Sequence, residues 1–286
     1  MQRLLVQLDG DRHPSVFDRI VGHDAGADQV LSYGGVRAED VRGLVHGAIF
    51  TRGPKQLNHS ALFIGGSDAA HAERLLAEAQ AAFFGPFRTS IMLDPNGSNT
   101  TAAAAVRKVV AAAGGDVTGK QALVLAGTGP VGARVAGLLG RLGAEVRITS
   151  RDRAHGEDGA ARIRARFDVV VEVGVVDRPE QAERALDHAE LVVACGPAGV
   201  QLVPRAAWTG RTGLRAIADV NAVPPVGVEG VDPEDDGEDR QGVRVFGALG
   251  VGGLKMKLHK ASIARLFEQN DRILDAEAIY ELAADV

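Results

Sequence analysis

The run "LVLAGTGPVG" constrains this chain more than any other stretch. An apolar segment leads into Gly127-Thr128-Gly129-Pro130-Val131-Gly132, and an amphipathic segment follows until Gly143. A strand that ends in Gly-x-Gly-x-x-Gly and reopens as a helix turns unpaired N–H groups and a helix N-terminus toward an anion. In that setting Gly127 permits the tight turn and Gly129 lets the backbone approach a pyrophosphate. Gly132 lets helix and strand pack closely. Pro130 suits the first helical turn, where its missing N–H costs nothing. The glycine spacing alone is weak evidence; with its flanking strand and helix it indicates a dinucleotide site.

About 20 residues on, such a unit normally offers an Asp or Glu to a ribose hydroxyl. Here the next strand ends Thr149-Ser150-Arg151. A carboxylate would repel a 2′-phosphate, whereas a hydroxyl and a planar, permanently charged guanidinium can hydrogen-bond it. The competing reading is an exposed Arg at a turn. Position favours the phosphate, and NADP is the expected cofactor.

The remaining chain alternates in the same style. Runs at 3–9, 46–51, 60–66 and 88–94 read as strands. "SDAAHAERLLAEAQAAFF" (67–84) reads as a helix capped by Ser67 or Asp68. "PNGSNTTAAAAVRKVVAAAGG" (95–115) supplies caps at Ser98, Asn99 or Thr100 and a helix that stops at Gly114-Gly115. After Lys120, the strands "ALVLAG", "AEVRITS", "DVVVEVGVV", "AELVVACG" and "LRAIADVN" are apolar enough to be covered on both faces. The acidic stretch 232–242 reads as a solvated loop, and 243–270 as a strand running through glycines into a helix. The expected class is α/β with two domains. Residues 1–114 with 253–286 form an N-terminal α/β domain, and 115–252 a Rossmann-like NADP-binding domain with a parallel sheet.

Composition removes several function classes. A net charge of −5 argues against a nucleic-acid partner. A single cysteine, Cys195, excludes an internal disulfide and a cysteine-based metal cluster, and no metal-ligand motif is present, so no metal is expected. No window of about 18 apolar residues offers a membrane span, and the N-terminus does not read as a signal peptide. The expected location is the cytoplasm.

The stretches "PSVFD", "FTRG", "FFGPFR", "LDPNGSNTTAA", "LAGTGPVG", "DVNAVPPVGVEG" and "FGALGVGGLKMKLH" are too particular to belong to dehydrogenases in general. Through them, over essentially its whole length, the chain resembles the bacterial methylene-tetrahydromethanopterin dehydrogenases. The resemblance implies oxidation of a methylene-tetrahydropterin to the methenyl form with NADP, sometimes NAD, in one-carbon metabolism. It also implies a pterin bound in a cleft between two α/β domains, and a trimer-based homo-oligomer. In the methylene substrate the one-carbon unit sits between two nitrogens. Their lone pairs delocalise the charge left by hydride, so the missing triad and metal motif are expected, and alignment is the enzyme's main task.

The resemblance directs attention to particular side chains. Phe17 is a candidate to stack on the pterin, with a core aromatic as the competing reading. Asp18 is a candidate to accept hydrogen bonds from the pterin's 2-amino edge, with a helix N-cap as the alternative. Asn96, Asn99, Thr100 and Thr101, at a helix start, are candidates for substrate contact or for capping alone. Lys255 is expected to hold or orient the substrate; Lys257 is a weaker candidate of the same kind. Asn221 joins the glycine-loop residues, Ser150 and Arg151 on the cofactor side. His259 reads as a helix-face residue with no role. Related folate dehydrogenase–cyclohydrolases use a Tyr-x-x-x-Lys, but Tyr33 is followed at that spacing by Arg37, which cannot give up its proton, so hydrolysis is not expected. Methylene-tetrahydrofolate or shikimate dehydrogenase remains the alternative.

Overall fold

The computed structural model describes residues 1–178 and 181–286. The first half of the chain runs β1 (Leu4–Asp9), α1 (Val16–Asp24), β2 (Gln29–Tyr33), α2 (Ala38–Ile49), β3 (Ser60–Gly65), α3 (Ala69–Ala81), β4 (Ser90–Leu93) and α4 (Ser98–Ala112). There follow β5 (Gln121–Leu125), α5 (Pro130–Arg141), β6 (Glu145–Ser150), α6 (Arg153–Phe167), β7 (Glu172–Val175), α7 (Ala182–Ala185), β8 (Leu191–Ala194), α8 (Arg205–Trp208) and β9 (Ala216–Asp219). The chain closes with β10 (Asp236–Arg240), β11 (Val243–Phe246), α9 (Ala248–Leu266), β12 (Ile273–Leu274) and α10 (Ala276–Leu282). It divides into two compact units, residues 1–100 with 256–286 and residues 101–255. The first division falls near the start of α4, not after Gly114, and the second lies within α9. Both divisions interrupt continuous helices, which apolar patterning alone does not reveal.

The first unit is built on a parallel sheet in the order β12-β4-β3-β1-β2. β3 and β4 are buried at every position, as strands covered on both faces must be. Leu8, Leu62, Ile64 and Leu93 of the sheet meet Val41, Val45 and Ile49 of α2 and Leu75 of α3. The expected strand at 46–51 is therefore wrong. Val41, Val45 and Ile49 recur every fourth residue, the spacing of one helical face, and all three are 0% exposed. α3 begins where expected, with Asp68 accepting the His71 N–H at 3.0 Å. The C-terminal segment contributes β12, which pairs with β4 through Ile273 and Leu274.

The second unit carries a sheet in the order β10-β11-β9-β8-β5-β6-β7, parallel except for the β10–β11 pair. From β5 the chain builds outward through β6 and β7, then returns to the other side of β5 with β8. The sheet therefore reverses its order between β5 and β8, the point where ligands settle in open α/β sheets. The acidic stretch proves partly structured. Residues 236–240 form the antiparallel edge strand β10, and Asp235 is buried in an ion pair with Arg240. Its backbone also explains two downstream glycines: a Cβ on Gly247 or Gly250 would lie 1.9 Å from the Asp232 carbonyl or 2.1 Å from that of Asp235. α9 consequently begins at Ala248, and Gly250, Gly252 and Gly253 lie inside it instead of leading into it.

Glycines also let α5 approach its neighbours. A Cβ on Gly137 would meet the Phe167 ring at 2.4 Å, and one on Gly140 would meet Val169 at 2.2 Å. Gly47 of α2, by contrast, faces open space. Gly137→Val is therefore expected to cost about 1–3 kcal/mol by overpacking. Gly47→Ala is expected to stabilise by about 0.5–1 kcal/mol through helix propensity. Urea unfolding midpoints check the pair, and a Gly137→Val midpoint equal to the parent's would contradict the packing described.

Candidate functional site

The glycine turn is tied to the neighbouring strand before any ligand is considered. Ala126 adopts a left-handed backbone (φ 52), and its N–H donates to Thr149 Oγ1 at 3.0 Å. The Gly127 N–H donates to the Thr149 carbonyl at 3.1 Å. The three glycines then divide their work. A Cβ on Gly127 would strike Ile148 at 2.7 Å, and one on Gly132 would strike Gly127 Cα at 2.7 Å. A Cβ on Gly129 would meet only the Ala126 carbonyl oxygen, at 3.9 Å. Two glycines are required by the protein's own packing, and the third leaves room for something else.

That room is a cavity of about 640 Å³ at the carboxyl ends of β5, β6 and β8. Thr128, Gly129, Pro130, Ser150 and Arg151 line it, as do Asp152, His155 and Cys195. Ser150 is 5% exposed, and its Oγ has no hydrogen-bond partner among the described residues. A buried hydroxyl without a partner costs about 1–3 kcal/mol, so its place in a cavity wall fits a polar ligand group. Open space over Gly129 and the unpaired Ser150 hydroxyl together fit a dinucleotide running from the turn to the end of β6. Asp152 also lines that end, and its Oδ1 caps α6 by accepting the His155 N–H at 2.8 Å. Burial pushes the Cys195 thiol well above its ordinary range, with the Asp219 charge adding to the effect.

The other expected cofactor positions divide. Gly127, Val131 and Gly132 do not line the cavity; Gly127 and Gly132 act through packing. Asn221 is also absent from its wall. Its Oδ1 accepts the Val223 N–H at 2.9 Å and its Nδ2 donates to the Pro225 carbonyl at 3.3 Å, so this side chain braces the loop after β9. Asp219 holds the base of that loop by accepting the Asn221 and Val228 N–H groups, and burial raises its pKa against those bonds.

In the first unit, several expected substrate residues converge on one buried group. Phe17 is 49% exposed, not a core aromatic, on the first turn of α1. Ser15 caps this helix by accepting the Asp18 N–H, so Asp18 is not the cap. Asp94, at the end of β4, accepts the Asn99 N–H at 2.9 Å, the Thr100 N–H at 3.1 Å and the Thr100 hydroxyl at 2.7 Å. It caps α4 in place of the Ser, Asn or Thr expected there. Asn99 also donates through its side chain to the Leu93 carbonyl, so Asn99 and Thr100 are buried members of the cap. Asn96 is exposed in a left-handed conformation (φ 50). Between Asp18 and Asp94 lies His259 of α9, fully buried. Sequence reasoning gave this residue no role and passed over Asp94. The available signals were an acid at a strand's carboxyl end and a histidine four residues after Lys255.

Thr101 and Lys255 belong to the second unit, the one on α4 and the other on α9, and both are half-buried. Lys257 belongs to the first unit and is exposed.

Residues 16–96 match the family described as methylene-tetrahydromethanopterin dehydrogenase, N-terminal. The chain is 33% identical over 299 residues to the NAD(P)-dependent methylenetetrahydromethanopterin dehydrogenase of Methylorubrum extorquens, covering 99% of this chain and 98% of that protein. The chain belongs to the methylene-tetrahydromethanopterin dehydrogenase family. A second Methylorubrum extorquens relative, the bifunctional protein MdtA, is 49% identical over 286 residues, covering 100% of this chain and 99% of that protein. Shikimate 5-dehydrogenase from Listeria monocytogenes, solved with shikimate and NAD, shares the fold of this methylene-tetrahydromethanopterin dehydrogenase family member. The TM-score is 0.53 at 15% identity, covering 98% of this chain and 96% of the other.

The glycine turn of this family member supports a paired test. Gly129→Ala is expected to melt with the parent protein while binding nucleotide more weakly, because its Cβ enters the cavity. Gly132→Ala is expected to lose stability, because its Cβ enters the turn backbone. Thermal melts beside nucleotide titrations check the pair. Equal melting temperatures for the two variants would refute this division of roles.

Proposed function

We propose that this chain oxidises methylene-tetrahydromethanopterin to methenyl-tetrahydromethanopterin with NADP, in one-carbon metabolism. The observation that carries the reading is full-length relatedness to an NAD(P)-dependent methylenetetrahydromethanopterin dehydrogenase. A cavity of about 640 Å³ beside the glycine turn in the second unit supports it. NADP bound in that cavity supplies the hydride acceptor. The α5 N-terminus and the backbone at Gly129 hold the pyrophosphate, and Ser150 and Arg151 receive the 2′-phosphate. On the substrate side, Phe17 offers an exposed ring face and Asp18 a carboxylate for the pterin's 2-amino edge. Lys255 orients the substrate. Loss of hydride from the methylene carbon leaves charge that the two flanking nitrogens share, so the protein has only to align and to stabilise. We assign the active form to a trimer-based homo-oligomer and its location to the cytoplasm, on the strength of the resemblance. Light scattering on the purified protein tests the oligomer.

The reading is checked by following NADPH absorbance with methylene-tetrahydromethanopterin, methylene-tetrahydrofolate and shikimate side by side. Turnover is expected with the first, without added metal and undiminished by a chelator. Turnover with shikimate alone would replace the reading. Lys255→Ala is expected to impair turnover or pterin binding far more than NADP binding.

Arg151→Ala is expected to raise KM for NADP about tenfold to hundredfold, the equivalent of one charge-assisted phosphate contact, while KM for NAD hardly moves. Equal losses with both nucleotides would make Arg151 structural.

A further inference from the structure

His259 occupies an environment unlike that of a helix-face histidine. Its ring is fully buried and stacks flat on Phe63 of β3, with centroids 5.7 Å apart and planes within 10°. The Phe17 ring tilts against it at 6.0 Å. Its two nitrogens face two different carboxylates: Nε2 lies 3.7 Å from Asp18 Oδ1, and Nδ1 lies 3.9 Å from Asp94 Oδ2. Both acids are themselves buried, Asp18 at 6% and Asp94 at 0% exposed. Two carboxylates buried on either side of one ring repel each other unless positive charge lies between them. The imidazolium form of His259 is placed to supply that charge.

The two ends of this arrangement are held differently. Asp94 is locked at the start of α4 by two backbone N–H groups and the Thr100 hydroxyl. Asp18 belongs to the first turn of α1, whose flanking Val16, Phe17 and Ile20 are exposed. With the ring plane fixed by Phe63 and one nitrogen directed at the locked carboxylate, the other nitrogen is directed at Asp18. Orientation passes from the α4 cap, through the imidazole, to the carboxylate beside Phe17.

We propose that His259 is a positioning residue for substrate binding, bridging Asp94 and Asp18 so that the Asp18 carboxylate stays ionised and set for the amino edge of the pterin. The proposal rests on the substrate-side reading of Asp18 given above. It goes beyond that reading by making the fixed Asp94–His259 pair the source of Asp18's competence. The charge of the histidine acts through Asp18, and its ring also packs against Phe17, a contact that an aromatic replacement retains.

A double-mutant cycle between His259→Phe and Asp18→Asn, on the full-length enzyme, tests it. Phe keeps the stacked ring and removes the charge. Each single variant is expected to raise KM for methylene-tetrahydromethanopterin about tenfold to hundredfold, the scale of a charge-assisted hydrogen bond. KM for NADP and kcat are expected to change little. The double variant is expected to be no worse than Asp18→Asn alone, because His259 has no separate contribution once Asp18 is neutral. Multiplying effects, or a parent-like KM in His259→Phe beside a raised KM in Asp18→Asn, would overturn the proposal and leave the Asp18 reading standing. A parent-like KM in Asp18→Asn would overturn both. Should His259→Phe fail to fold, His259→Asn enters the same cycle; failure of both to fold would assign His259 to the core and end the proposal.

Discussion

Helix α5 can begin where it does only because no side chain stands at Gly127 or Gly132. The turn backbone and the first helical turn approach so closely that a single methyl group would collide with Ile148 or with Gly127 itself. This contact brings the α5 N-terminus against the carboxyl end of β5, and Thr149 ties the turn to β6 through the Ala126 and Gly127 N–H groups. The concentrated N–H dipoles, the open face of Gly129 and the end of β6 thus border one cavity. Without that close approach the helix would stand off the sheet, and its N-terminus would no longer border the cavity.

The same economy of groups governs the far wall of the cavity. An NAD-type strand end would present a carboxylate; this one presents a buried, unpaired hydroxyl at Ser150 and a guanidinium at Arg151. Asp152 comes one residue later, and its Oδ1 caps α6 by accepting the His155 N–H. Cys195 lines the cavity yet stays protonated, since burial and the Asp219 charge both disfavour the thiolate.

In the first unit a buried carboxylate plays the organising part that the glycines play in the second. Asp94 satisfies the first N–H groups of α4 and faces His259, which faces Asp18 in turn. Asn99 and Thr100, which read as candidates for substrate contact or for capping alone, are buried parts of that cap. A sequence reading cannot separate capping from ligand contact at a helix start, because the same small polar residues suit both. It also misplaced the segment 46–51, where β-rich composition outweighed the four-residue spacing of Val41, Val45 and Ile49. The acidic stretch was read by charge, which hid a strand whose pairing partner lies beyond a turn.

By itself the sequence determined whatever depends on contiguous residues. The Gly-x-Gly-x-x-Gly turn, the buried central strands, the Ser150-Arg151 end of β6 and the family motifs can all be read along the chain, since short-range geometry and covalent order dictate them. By contrast β7, which reads as doubly covered, is an exposed edge strand. Tertiary structure alone decided which glycines face protein and which faces open space, because that depends on what packs opposite. It also decided that Asp18, Asp94 and His259, from three separate segments, share one buried cluster. Charge pairing of that kind arises only when folding removes the groups from water and leaves them one another as partners.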